Sequence, residues 1–177
     1  MSVRGALALA LAALAGCAAL LAPPLLRVPL RELGEPRTLE QRLTLTRHGR
    51  SVVLDGVADV SAARVQLIAT TLGVRLYALE YDGARVRAQA TGVPNGGLPP
   101  SAALDDFLML YAPAAALERV LPDDLRLVAT EGGRALYRGD RLLVSVTYES
   151  ADPANGRSRL RNAALDYDLV VDSAVVQ

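Results

Sequence analysis

The chain has 177 residues, half of them apolar, with 19 basic and 19 acidic side chains and no net charge. That is enough apolar material for one domain with a real core, and it excludes a disordered chain. No stretch concentrates basic charge, which excludes nucleic acid as a partner.

The N-terminus carries the clearest motif. Met1-Ser2-Val3-Arg4 is a short positive segment, residues 5–16 are an apolar run, and Leu14-Ala15-Gly16-Cys17 closes it. Charge, apolar run and small residues before a cut are the parts of a secretory signal. The apolar stretch of residues 5–22 also reaches the lower length limit for a membrane span, so an uncleaved anchor is the alternative. Cys17 is the only cysteine, so an exported chain has no internal disulfide. Leu-Ala-Gly-Cys resembles the bacterial lipobox. That resemblance implies cleavage before Cys17, its acylation and its labelling by palmitate. Ala18, where an Asp would retain the protein in the inner membrane, implies anchoring on the periplasmic face of the outer membrane, the outer face of the inner membrane being the alternative. The expected organisation is a signal peptide at 1–16, an acylated Cys with a Pro-rich tether at 17–37, and a β domain at 38–177. Pro23, Pro24, Pro29 and Pro36 predict extended chain rather than helix in that tether.

From Thr38 the apolar period becomes two. Leu39, Leu43 and Leu45 share one face, and Glu40, Arg42, Thr44 and Thr46 the other, as in a half-buried antiparallel strand. Strands follow at 51–60, 64–71, 74–81 and 85–90, joined by turns at His48-Gly49, Leu72-Gly73 and Asp82-Gly83. Residues 91–100, rich in Gly and Pro, break this meander. Ser101 is the expected N-cap of a helix, with Leu104, Phe107, Leu108 and Tyr111 as its apolar stripe and Asp105-Asp106 as early acids. Pro113 and Pro122 bracket a second short helix at 114–121. Strands return at 125–130, 134–138 and 141–149, and a last one at 164–172 alternates Leu165, Tyr167, Leu169 and Val171 against polar neighbours. The expected fold is mostly β: an antiparallel, unclosed barrel of about nine strands with two short helices as a lid.

Chemistry is sparse. His48 lies in a turn, the one thiol belongs to the N-terminus, and no spacing resembles a metal site or a phosphate-binding loop, so no enzyme activity, cofactor or metal is expected. Asp105-Asp106 and Asp123-Asp124 read as caps and turn formers. Asp166 and Asp168 read as a solvated face, and Tyr77 and Tyr81 as packing. The absence of Lys beside 19 Arg reads as coding bias, and the lack of Trp implies an aliphatic core.

The order of elements resembles the LolA/LolB-type fold of lipoprotein carriers. A closer resemblance is to an uncharacterised family of proteobacterial outer-membrane lipoproteins, often encoded beside aryl-polyene and fatty-acid-like synthase genes. It rests on Gln41-Arg42-Leu43-Thr44, Leu72-Gly73-Val74-Arg75-Leu76-Tyr77, Leu79-Glu80-Tyr81-Asp82-Gly83, Leu98-Pro99-Pro100, the helical pair and Arg161-Asn162. The chain departs from such carriers in lacking Trp, and Tyr111-Ala112-Pro113 stands where relatives place an aromatic before the proline. The resemblance implies a carrier or acceptor of an acylated, lipid-like ligand. Its expected cavity is lined by Leu43, Leu45, Val65, Leu67, Val86, Leu165 and Leu169, with Phe107 and Leu108 from the lid. It also implies a membrane or cargo contact at Leu72, in the turn after the third strand. Expected partners are membrane lipid, through the acylated Cys17, and an acyl chain or lipoprotein cargo, the domain itself being monomeric. A structural lipoprotein with a filled core that recruits protein partners is the alternative.

Overall fold

A computed structural model describes residues 26–90 and 100–176. Cys17, the signal segment and most of the Gly/Pro-rich stretch therefore lie outside the described residues. The first half of the chain forms β1 (Arg37–Arg47), β2 (Arg50–Val60), β3 (Val65–Thr71), β4 (Val74–Tyr81) and β5 (Val86–Ala90). Two helices follow, α1 (Pro100–Tyr111) and α2 (Ala114–Val120). The second half adds β6 (Leu125–Thr130), β7 (Gly133–Arg138), β8 (Arg141–Tyr148), β9 (Gly156–Asn162) and β10 (Tyr167–Val175).

The sheet order is β5-β4-β3-β2-β1-β10-β9-β8-β7-β6, antiparallel throughout. Two five-stranded meanders thus meet where the first strand pairs with the last, and the edges β5 and β6 are those joined by the helices. The tight turns follow the expected chemistry. His48 and Gly49 have φ of 50° and 72°, and Leu72 and Gly73 have 49° and 76°. Two positive φ values in a row mark the hairpin turn that matches strand twist.

Ten strands form rather than about nine. The additional one, β9, offers Ser158, Leu160 and Asn162 inward and Arg157, Arg159 and Arg161 outward. One aliphatic in seven residues gives almost no hydrophobic alternation, so the strand is invisible to a pattern reading. Cross-strand ion pairs run along it instead: Arg157 to Asp172 at 2.6 Å and Arg161 to Asp168 at 3.1 Å. The last strand begins at Tyr167 and not at 164, because residues 163–166 form a turn in which Asn162 Oδ1 accepts the Leu165 N–H at 2.9 Å and Asp166 takes φ of 55°. Helix α1 begins at Pro100, so Ser101 lies inside it and is not its N-cap.

Two larger differences concern packing. Every residue of α1 from Leu104 to Leu110 is buried, Asp105 and Asp106 included. A helix buried on all faces is not a lid over an opening. It is a plug, touching β4, β5 and β9 through packing. Hydrogen bonds tie it to further strands, with Tyr148 of β8 donating to Leu110 C=O at 3.1 Å and Arg134 of β7 to Ala112 C=O at 2.6 Å. Second, the segment read as a tether is part of the core from residue 26 onward. Leu26, Val28 and Leu33 are 2%, 0% and 3% exposed. Leu30–Glu32 makes one 3-10 turn directly after Pro29, whose fixed φ suits a helical start. Tyr81 of β4 directs its hydroxyl at Val28 C=O, 2.9 Å away. The segment is a strap across the end of the sheet at which β1 begins.

Candidate functional site

The inner face of the sheet is ruled into rows by strand register. One row holds Ser173, Gln41, Gly56, Ala69 and Tyr77, on five neighbouring strands. Small side chains there leave space, and a Cβ on Gly56 would stand 3.1 Å from Leu43 Cδ1. The C-terminal end of α1 fills part of that space. Gln41 Nε2 donates to Tyr111 Oη at 2.7 Å, and Tyr111 Oη and Ser173 Oγ are 2.6 Å apart. Gln41 shares its face with Leu39 and Leu43, where an apolar pattern reading passes over it.

A second polar group lies deeper. Asp105 Oδ1 accepts the Leu26 N–H at 2.7 Å, which fixes the strap to α1. Asp106 Oδ2 accepts the Tyr167 hydroxyl at 2.5 Å, and Asn162 Nδ2 donates to the same hydroxyl at 3.1 Å. Burial pushes the Asp105 carboxyl up to about 8, against the pull of the Leu26 amide. It pushes Asp106 up to about 7, against the hydrogen bonds from Tyr167 and Asn162. Tyr77 is raised to about 12 by burial and by the nearby Asp106 charge. These acids are therefore not surface caps: they are the polar links between helix, strap and sheet. Only their position on two adjacent faces of an otherwise apolar helix hints at this in sequence.

The residues expected to line a cavity divide into two sets. Val65, Leu67, Phe107 and Leu108 are sealed in the core, at 0–5% exposure. Val86 pairs with Tyr81 and packs half-buried at the strap end of the sheet. Leu43, Leu45, Leu165 and Leu169 form the other set. All four are half-buried against the core, Leu45 lies directly opposite Leu169 on β10 and Val52 on β2, and Leu43 opposite Leu54 and Val171. They make a partly uncovered aliphatic band at the end of the inner face remote from the strap. The β1–β2 turn, the β3–β4 turn and the 163–166 turn surround that end. At its rim Leu72 is 98% exposed, next to Val74 at 60% and Val53 at 43%. Thr71 Oγ1 donates to Val53 C=O at 3.2 Å, which holds the β3–β4 turn beside β2.

The outer face is polar. A row of alternating charge crosses it, Asp55–Arg42–Asp172–Arg157, beside an open groove of about 650 Å3 that also borders Val57, Ile68 and Thr70. Asp166 and Asp168 are exposed as expected and held by Arg161. His48 sits exposed in its turn, its Nδ1 3.8 Å from Asp166 Oδ2. Among the described residues no group of three or more His, Cys, Asp or Glu side chains could hold a metal ion, and no helix is long and apolar enough to cross a membrane.

A sequence profile described as a protein of unknown function, DUF3261, matches residues 38–175, and the chain belongs to that family. No curated protein matches it. Among solved structures the chain is similar to a LolA superfamily protein from Nitrosomonas europaea, at 12% identity and a TM-score of 0.45, over 85% of this chain and 90% of that one. It is also similar to a DUF1329 family protein from Desulfovibrio piger, at 8% identity and a TM-score of 0.40, over 84% and 88%.

Proposed function

We propose that this DUF3261 chain is a membrane-anchored periplasmic binding protein that accepts an acyl chain at the uncovered end of its inner face. The reading has no covalent step. The observation that carries it is the half-buried band of Leu43, Leu45, Leu165 and Leu169, opening beside a fully exposed Leu72. An aliphatic surface left partly wet is a standing cost, and transfer of an acyl chain onto it is worth roughly 0.8 kcal/mol per buried methylene. Cys17, acylated, supplies the anchor in this reading, and the outer membrane is its place.

Native mass spectrometry of a chain beginning at Ala18, which keeps the core from Leu26 to Val171, is the test. Bound lipid is expected, and its loss in a Leu45→Asp, Leu169→Asp variant that still folds. An apo mass for the wild type, even after incubation with fatty acid, would sink the carrier reading.

A second reading has its own observation. Because α1 is buried on every face, the interior is largely filled by the chain itself. That favours a structural lipoprotein that recruits protein partners, and the same apo mass would support it.

A further inference from the structure

The two turns that flank the uncovered end, β1–β2 and β3–β4, are unlike the rest of the surface. Elsewhere arginines are paired with acids: Arg157 with Asp172, Arg159 with Glu149, Arg161 with Asp166 and Asp168, Arg64 and Arg87 with Glu80. At these turns the sequence Arg47-His48-Gly49-Arg50-Ser51-Val52-Val53-Leu54 and the sequence Thr70-Thr71-Leu72-Gly73-Val74-Arg75 contain no acid. Arg50 and Arg75 are exposed and have no carboxylate partner among the described residues. A chain of zero net charge thus carries a locally basic end with an apolar point.

The apolar point is itself costly. Leu72 is 98% exposed, and its φ of 49° is a left-handed conformation that non-glycine side chains resist. Asn or Gly would fill that turn position better. Val74 and Val53 extend the apolar surface beside it, at 60% and 43% exposure. Apolar side chains projecting from a ring of unpaired cations match the boundary of an anionic bilayer, where the chains enter the acyl region and the cations meet phosphates.

We propose that the β1–β2 and β3–β4 turns dock on an anionic phospholipid surface, with Leu72 entering the acyl boundary and Arg50 and Arg75 meeting headgroup phosphates. This deepens the carrier reading, since it gives the aliphatic band a hydrocarbon source at its own rim. Asp166, on the neighbouring turn, faces His48 and is already held by Arg161, so it does not neutralise Arg50 or Arg75.

The test is co-sedimentation of the chain beginning at Ala18 with vesicles of phosphatidylcholine alone or mixed with phosphatidylglycerol. Binding is expected to the mixed vesicles only, and it should weaken as salt rises. Each basic residue at such a surface is worth roughly five-fold in partition, so Arg50→Gln with Arg75→Gln should weaken binding about thirty-fold. Leu72→Asn, which tolerates the turn's backbone, should weaken it about ten-fold or more. Circular dichroism of these surface variants confirms that the fold is kept. Equal binding to both vesicle types, wild-type binding by the double Arg variant, or no binding to either would overturn the proposal, the last in favour of a protein partner. A chain that holds lipid but ignores vesicles overturns only the docking. A chain that binds vesicles but holds no lipid overturns only the carrier reading.

Discussion

Asp105 and Asp106 show how much a single position depends on its surroundings. In sequence they are adjacent acids early in a helix, the usual place for acids that suit the helix dipole. In the fold both are buried, Asp105 under the strap and Asp106 against Tyr167. Burial holds both carboxyls above the ordinary Asp value. The unfolded chain therefore releases these protons first, and the stability they contribute is present below about pH 4 and lost as pH rises through about 7 and 8. Asp82, Asp152 and Asp172 are shifted the other way by their hydrogen bonds, so they lose stability only below about pH 4. Urea midpoints should accordingly fall between about pH 4.5 and pH 8, with a slope of about 1.4 kcal/mol per pH unit for each group titrating. Replacing both by Asn should flatten that slope. A wild-type midpoint that stays level or climbs over the range would contradict the assignment.

At the scale of elements, the strap is the part most misjudged by local sequence. Proline density suggests an extended spacer, and Leu26, Val28 and Leu33 look like ordinary linker residues. Their burial is worth roughly 1.5–3 kcal/mol each, comparable in sum to the whole stability of a domain this size. Removing the strap also strands the buried Asp105 carboxylate without its amide donor. A chain beginning at Arg37 should therefore fail to fold, whereas one beginning at Ala18 should unfold cooperatively in urea. Equal stability of the two would show that residues 26–36 are a spacer after all. The strand pattern itself was largely legible: eight strands could be placed from alternation and turns, and β10 lost only its first three residues. The strand that was missed, β9, is held by arginine–aspartate pairs, which leave no hydrophobic period to read.

At the scale of the molecule, the strap and the basic turns lie at opposite ends of the sheet. β1 runs from the strap end at Arg37 to the turn end at Arg47, and eleven residues of strand span about 35 Å. The chain from Cys17 to Leu26 reaches at most about 30 Å when fully extended. If Cys17 carries the anchor, the docking end points away from the anchoring membrane and toward another surface. Lipidated protein in phosphatidylcholine vesicles should then cluster added phosphatidylglycerol vesicles, seen as a rise in turbidity. A Cys17→Ala protein should neither take up palmitate nor cluster them. Vesicles that remain dispersed with the lipidated protein would contradict the opposed arrangement.

The sequence by itself determined the class of fold, because alternation and hairpin turns are local properties of the chain. It also placed Leu43, Leu45, Leu165 and Leu169 on inward faces and Leu72 in an exposed turn. It could not determine which inward residues stay uncovered. That depends on α1, which enters the sheet as a plug and seals Val65 and Leu67 while leaving the far end open. Only the tertiary structure decided this, because the helix meets its partners through Gln41, Ser173, Tyr167 and the strap, residues dispersed from one end of the chain to the other.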